Sequence, residues 1–369
     1  MKKTIVLLDW EQEDKWFSRR TVDDPFSSAY FGLNIPAYFK TFFNLELYQK
    51  DKTYNKQQHV FVLCDIYHKN NFIQNSKLYE HLRDQGFKVI LLHFVEYFPE
   101  HHPDVYCTFP IFYIDNWFWF NEVLRHMNGW ASFRDNKRLI LCPVQYPRVS
   151  NRNKLALMPV GKLRRHRVDL LSKINPLLKN MVWSCKSQNI LLPRNKDFEH
   201  QYNSWEYEHL GIINDRYFNP DWYNDTYFSL VSETCVTRQI FKYNKNREDA
   251  PPFITEKTYK PIMYRHPFLI QGQPGILKHL RTLGFETFEN LFDESYDTID
   301  DNDLRLDKIV DNAQSLSKHL YSKKTKSIYT YDKLTEEKIT HNWNHFFNGQ
   351  LVEQRIYQDI VLPFLEMCE

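Results

Sequence analysis

Short apolar runs separated by longer polar stretches recur along the whole chain. In the first half they are Thr4–Leu8, His59–Cys64, Lys88–His93, Ile111–Ile114 and Arg138–Cys142. Runs this short, rich in Val, Ile, Leu and Phe, predict strands buried on both faces of a parallel sheet. Between two of them, Asn75–Gly86 sets Leu78 and Leu82 on one helical face and ends on a glycine, a C-cap signal. Strand, helix, glycine and strand is the βαβ pattern.

The alternation restarts in the second half. Leu155–Val160, Asn189–Leu192, Tyr227–Ser232 and Pro267–Ile270 read as strands. Arg165–Lys179, Lys257–Tyr264, Ile276–Leu283 before Gly284, and Asp303–Ser317 read as helices, and the tail from Thr335 is helical in pieces. Between the halves, Pro143–Asn153 is polar and contains two prolines. A boundary there gives domains 1–148 and 149–369, in line with about 100–200 residues per domain. The expected fold class is α/β, with two Rossmann-like domains facing across a cleft. Such domains bind ligands at the carboxyl ends of their strands, so chemistry is expected just after strands.

Composition narrows the function classes. The 369 residues are 42% hydrophobic and 25% charged, an ordinary globular balance. A net charge of +2 excludes wholesale coating of nucleic acid and leaves room for a local basic patch. Aromatics reach 16%, which supplies large core side chains and, at a few places, stacking platforms. Six scattered cysteines form no CxxC and no zinc spacing, so the expectation is reduced thiols in a cytoplasmic protein. The run after Met1-Lys-Lys ends at Asp9, too short for a signal peptide, and no stretch approaches a membrane span of about 18–20 apolar residues.

Three segments carry the chemistry. In Ile254-Thr-Glu-Lys257, Thr255 is placed to cap a helix whose positive end suits a phosphate. Lys257 adds a full charge there, and Glu256 can accept both ribose hydroxyls. In Gly161-Lys-Leu-Arg-Arg-His-Arg167, the cations Lys162, Arg164, Arg165 and Arg167 crowd a strand-to-helix turn, where a diphosphate would sit. GxxxxGK[ST] is absent, so this is no Walker loop. In Phe228-Ser-Leu-Val-Ser-Glu233, Glu233 ends an apolar strand, where it can bond a donor sugar or orient Lys257.

In their order along the chain, Gly161–Arg167, Phe228–Glu233 and Ile254–Lys257, the three segments resemble the C-terminal domain of the α-1,3-fucosyltransferase-like glycosyltransferases, and more closely their viral and phage-type relatives. The resemblance covers roughly residues 154–300. It implies the GT-B arrangement, a nucleotide-sugar donor, Glu256 on the ribose, and Lys257 with Arg167 or Arg164 on the diphosphate. Two departures stand beside it. Arg265-His-Pro-Phe-Leu replaces a small-residue loop, and the N-terminal half shows no motif of the family.

The expected activity is therefore metal-independent glycosyl transfer, inverting, with no cofactor. A DxD metal motif belongs after a strand, whereas Asp301-Asn-Asp303 lies in an acidic loop before a helix. The acceptor hydroxyl needs a base from the first domain. Among Asp9, Asp65, Glu96 and Asp115, the choice falls on Glu96, between Val95 and Tyr97, and Asp115, before the aromatic run Asn116–Phe120. The acceptor is a saccharide or a hydroxymethylated base in DNA. The alternative is a nucleotide- or glycan-binding protein that kept the fold without the chemistry.

Overall fold

The computed structural model describes residues 3–7, 44–65, 80–94, 111–114, 152–161, 163–185, 220–237, 252–322, 329–346 and 356–368, with positions 78, 190, 348 and 354. Two sheets form, both wholly parallel. The first takes β1 (Thr4–Leu7), β2 (Asn44–Leu47), β3 (His59–Asp65), β4 (Lys88–Phe94) and β5 (Ile111–Ile114) in the order β2-β1-β3-β4-β5. The second takes β6 (Lys154–Val160), β7 (Val182–Cys185), β8 (Thr226–Ser232) and β9 (Phe268–Gln271) in the order β7-β6-β8-β9. Every residue of β8 and β9 is buried, as strands covered on both faces require.

Each sheet reverses its strand order once, between β1 and β3 in the first and between β6 and β8 in the second. That is the Rossmann-like, doubly wound pattern, and the reversal opens a crevice at the carboxyl ends of the two strands. The chain divides into two compact units. The first is Met1–Met127 with Ile240–Ala250 and Gly349–Glu369; the second is Asn128–Gln239 with Pro251–Asn348. The expected boundary at 148/149 lies outside the described residues, as does the expected strand Arg138–Cys142.

The helices of the second unit follow the apolar pattern. They are α1 (Arg165–Ile174), α2 (Pro220–Asp225), α3 (Glu256–Met263), α4 (Ile276–Thr282), α5 (Asn302–Ser322) and α6 (Lys333–Phe346). In the first unit α7 (Leu362–Cys368) is tied to the start of β1, where the Lys3 ammonium donates to the Cys368 carbonyl. Within the second unit α5 packs on α1, and α6 on α3. Tyr259, Phe228, Phe253, Phe288 and Phe346 are fully buried there, so much of the aromatic content fills the core. Phe268 meets Phe288 edge-on at 4.9 Å and Phe228 meets Phe292 at 5.2 Å.

The two glycine stop signals work as C-caps. Gly86 has φ 83°; its N–H bonds to Arg83 and that of Phe87 to Leu82, closing a Schellman turn. Gly284 repeats this with φ 92° and the Phe285 N–H on Leu280. A Cβ at Gly284 would also stand 2.6 Å from the His345 ring. Gly284→Ala is expected to lose about 1–2 kcal/mol from the left-handed backbone alone, read as a lower urea midpoint. An unchanged midpoint would contradict this packing.

Arg265-His266 also finds a structural reason. His266 is buried, with Nε2 donating to the Thr226 carbonyl at 2.9 Å and Nδ1 accepting from Ser229 at 2.8 Å, so it rivets the end of α3 to β8. Arg265, at φ 52°, lays its guanidinium 4.2 Å from the centre of the Trp343 ring. Small residues at these positions would make neither contact.

Candidate functional site

The crevice of the second sheet is built from the segment after β6, the end of β8 and the start of α3. Carbonyls at the end of β8 have run out of ladder partners and need donors. The basic turn supplies them. Arg164 Nη1 donates to the Thr234 carbonyl at 3.1 Å, His166 Nε2 to that of Glu233 at 3.0 Å, and Arg167 Nη2 to those of Ser232 and Glu233 at 3.3 and 3.4 Å. Gln271, ending β9, accepts from Ser232 Oγ at 2.7 Å and donates to the His166 carbonyl at 2.9 Å, joining two strand ends to the start of α1.

Thr255 is the N-cap of α3, as its type and place predict, and its hydroxyl accepts the Lys257 N–H. The same hydroxyl accepts the Lys257 ammonium at 2.9 Å, and that ammonium also reaches Thr234 Oγ1 at 3.3 Å. Arg164 and Lys257 thus converge on one residue, Thr234, from two elements. Both are half-buried, and Arg165 beside them is exposed.

Glu233 is wholly buried. Oε1 accepts from the Thr255 N–H at 3.0 Å and from Thr258 Oγ1 at 2.7 Å; Oε2 accepts from Thr255 Oγ1 at 2.6 Å and the Thr234 N–H at 3.2 Å. Four donors occupy the carboxylate. Its link to Lys257 runs through Thr255, whose hydroxyl donates to Glu233 and accepts from the Lys257 ammonium. Arg167, with 5% exposure, likewise anchors the end of β8, while Arg164 is the more exposed of the two arginines named for the diphosphate.

The N-terminus of α1 differs from those of its neighbours. Asp297 accepts the Leu277 and Lys278 N–H groups at the start of α4, Asp301 those of Asp303 and Leu304 at α5, and Asp332 that of Thr335 at α6. Arg164 makes no side-chain cap for α1, whose first turn holds no acid. Cations at a positive helix end repel one another and the dipole unless an anion joins them. Asp301, the first residue of the DxD-like triplet, is used as a cap. No group of three or more His, Cys, Asp or Glu that could hold a metal occurs among the described residues.

Burial lowers the pKa of His166 most; the bond to the Glu233 carbonyl opposes it, the Arg167 and Arg164 charges lower it further, and the net shift is downward. The imidazole is therefore neutral, with its proton on Nε2 to serve the Glu233 carbonyl. A folded pKa below the unfolded value contributes stability that is full above about pH 6.5 and lost as pH falls below it. Wild type is expected to lose more stability than His166→Gln between pH 7.5 and 5.5 in urea titrations. Equal losses would contradict the assignment.

Glu96, Asp115 and Lys162 lie outside the described residues, and so does the side chain of Glu256. The reversal in the first sheet falls at β1 and β3, and Asp65 is the last residue of β3. In sequence Glu96 comes after β4 and Asp115 after β5, and those strands stand one and two places beyond β3 in the sheet. Sequence reasoning overlooked Thr234, Thr258 and Gln271. The one signal for Gln271 was a polar residue ending an apolar strand, Phe-Leu-Ile-Gln.

No helix among the described residues is long and apolar enough to cross a membrane. No protein-family model matches the chain. No curated protein matches it either. Among solved structures, the crystal structure of an α1,3-fucosyltransferase with GDP-fucose aligns with 94% of this chain and 90% of its own, at 10% identity and a TM-score of 0.39.

Proposed function

We propose that the second unit holds a nucleoside diphosphate sugar at the β6/β8 crevice, and that the protein transfers the sugar to an acceptor hydroxyl with inversion and without a metal. The carrying observation is the crevice itself: α1 begins with cations and no carboxylate, while Arg164 and Lys257 converge on Thr234. An anion with two phosphates satisfies both at once. In this reading Lys257, Arg164 and Lys162 offset the charge that grows on the leaving diphosphate. Thr255, Glu233 and Arg167 hold them in place, and Glu256 takes the ribose.

The acceptor oxygen attacks the anomeric carbon as the bond to the diphosphate breaks, and a carboxylate takes the hydroxyl proton. Glu96 and Asp115 are proposed for it, and the reversal between β1 and β3 adds Asp65 to the set. The acceptor is a saccharide or a hydroxymethylated DNA base. Duplex binding that weakens with salt favours DNA, and a flat salt response favours a saccharide.

Calorimetric titration with GDP-, UDP-, ADP- and CDP-sugars and the free nucleotides, in chelator, tests the donor. One of these is expected to bind. Binding by none of them defeats the proposal. Binding without transfer or hydrolysis, unaltered in Glu96→Gln, Asp115→Asn and Asp65→Asn, leaves the non-catalytic binding protein as the function.

A further inference from the structure

One side chain outside the crevice grips several of the loops around it. Arg305, in the first turns of α5, is buried with 3% exposure. All five of its N–H donors find separate acceptors. Nε donates to the Gly272 carbonyl at 3.2 Å, and Nη1 to those of Ile299 at 2.5 Å and Asp300 at 3.2 Å. Nη2 donates to the Val236 carbonyl and to Asn302 Oδ1 at 2.5 Å. These acceptors lie after β9, in the acidic loop before α5, and after β8. Asn302 Nδ2 adds a bond to Thr237 Oγ1 at 3.0 Å. Gln273 ties the same loops, donating to the Thr237 carbonyl at 2.8 Å and accepting the Phe253 N–H at 2.6 Å.

Val236 and Thr237 come just after Thr234 and Cys235, and Thr234 is where Arg164 and Lys257 meet. Segment 234–237 carries no regular hydrogen-bond ladder of its own. Its position depends on what grips it, and a planar fork of five fixed donors grips in a way an ammonium cannot.

We propose that Arg305 is a positioning residue for the crevice: it holds segment 234–237 where Thr234 meets Lys257 and Arg164. The proposal rests on reading those cations as the diphosphate site. Arg305 touches neither the diphosphate nor the reacting atoms. Its effect on binding passes through the Val236 carbonyl and Asn302 to Thr237.

The test uses the full chain as wild type, Arg305→Lys and Asn302→Ala. Three quantities are read on each: the Kd for GDP and UDP, the melting temperature, and amide exchange of 234–237 against β8. In Arg305→Lys, binding is expected to weaken about tenfold, with faster exchange confined to 234–237 and β8 still protected. Asn302→Ala, at an exposed position, is expected to act in the same direction, less strongly, at the wild-type melting temperature. Wild-type affinity in Arg305→Lys despite faster exchange overturns the proposal, and so does unchanged exchange. If Arg305→Lys fails to fold, wild-type affinity and exchange in Asn302→Ala overturn it. A wild-type chain that binds neither of these, nor ADP or CDP, sinks the reading of the site, and exchange alone then decides whether Arg305 holds the segment.

Discussion

Glu233→Ala is expected to destabilise the second unit by about 3–5 kcal/mol, the cost of orphaning several buried hydrogen-bond donors at once. Glu233 is wholly buried and accepts four hydrogen bonds, two of them from the hydroxyls of Thr255 and Thr258, which are themselves buried. Alanine leaves those donors without an acceptor, at roughly 1–3 kcal/mol for each buried group orphaned. Water cannot readily replace the carboxylate in a site this closed. Glu233→Gln keeps one acceptor oxygen and should lose less. Urea unfolding at pH 7 reads the difference, and near-wild-type stability in Glu233→Ala would show that Glu233 does not organise the start of α3.

Lys257→Ala is expected to weaken nucleoside diphosphate binding by about 1.5–3 kcal/mol, ten- to a hundredfold, the worth of one charge-assisted contact. Its effect on folding should be far smaller. Lys257 is half-buried and bonds two hydroxyls, Thr255 and Thr234, but its charge also opposes the positive end of α3. These influences oppose each other, so stability should move by less than about 1 kcal/mol. Unaltered nucleotide binding together with a clearly lower melting temperature would make Lys257 a structural residue.

The two α/β halves were legible because buried parallel strands leave continuous apolar runs, as in Tyr227–Ser232 and Phe268–Gln271. Helix ends were legible where one residue decides the backbone: Gly86, Gly284 and Thr255. Strands β2 and β7 escaped notice. Asn44-Leu-Glu-Leu and Val182-Trp-Ser-Cys are short, and each ends the strand order of its sheet, where a long apolar run is not required. The cations of the site were readable from residue type at a strand-to-helix turn. Which of them are anchors was not, because that depends on distant partners. Arg167 bonds carbonyls 65 and 66 positions away, Gln271 one 105 away, and Arg305 one 33 away. The burial of Glu233 depended in the same way on hydroxyls that only the fold brings to it.

The central claim is that the β6/β8 crevice of the second unit is a diphosphate site. A crystal structure of the protein with the nucleoside diphosphate that binds most tightly tests it most directly. The two phosphates are expected between the start of α1 and the start of α3, within hydrogen-bonding distance of Lys257 Nζ and the Arg164 guanidinium, with Glu233 still buried behind Thr255. A nucleotide bound elsewhere, or phosphates that touch neither Lys257 nor Arg164, would contradict it.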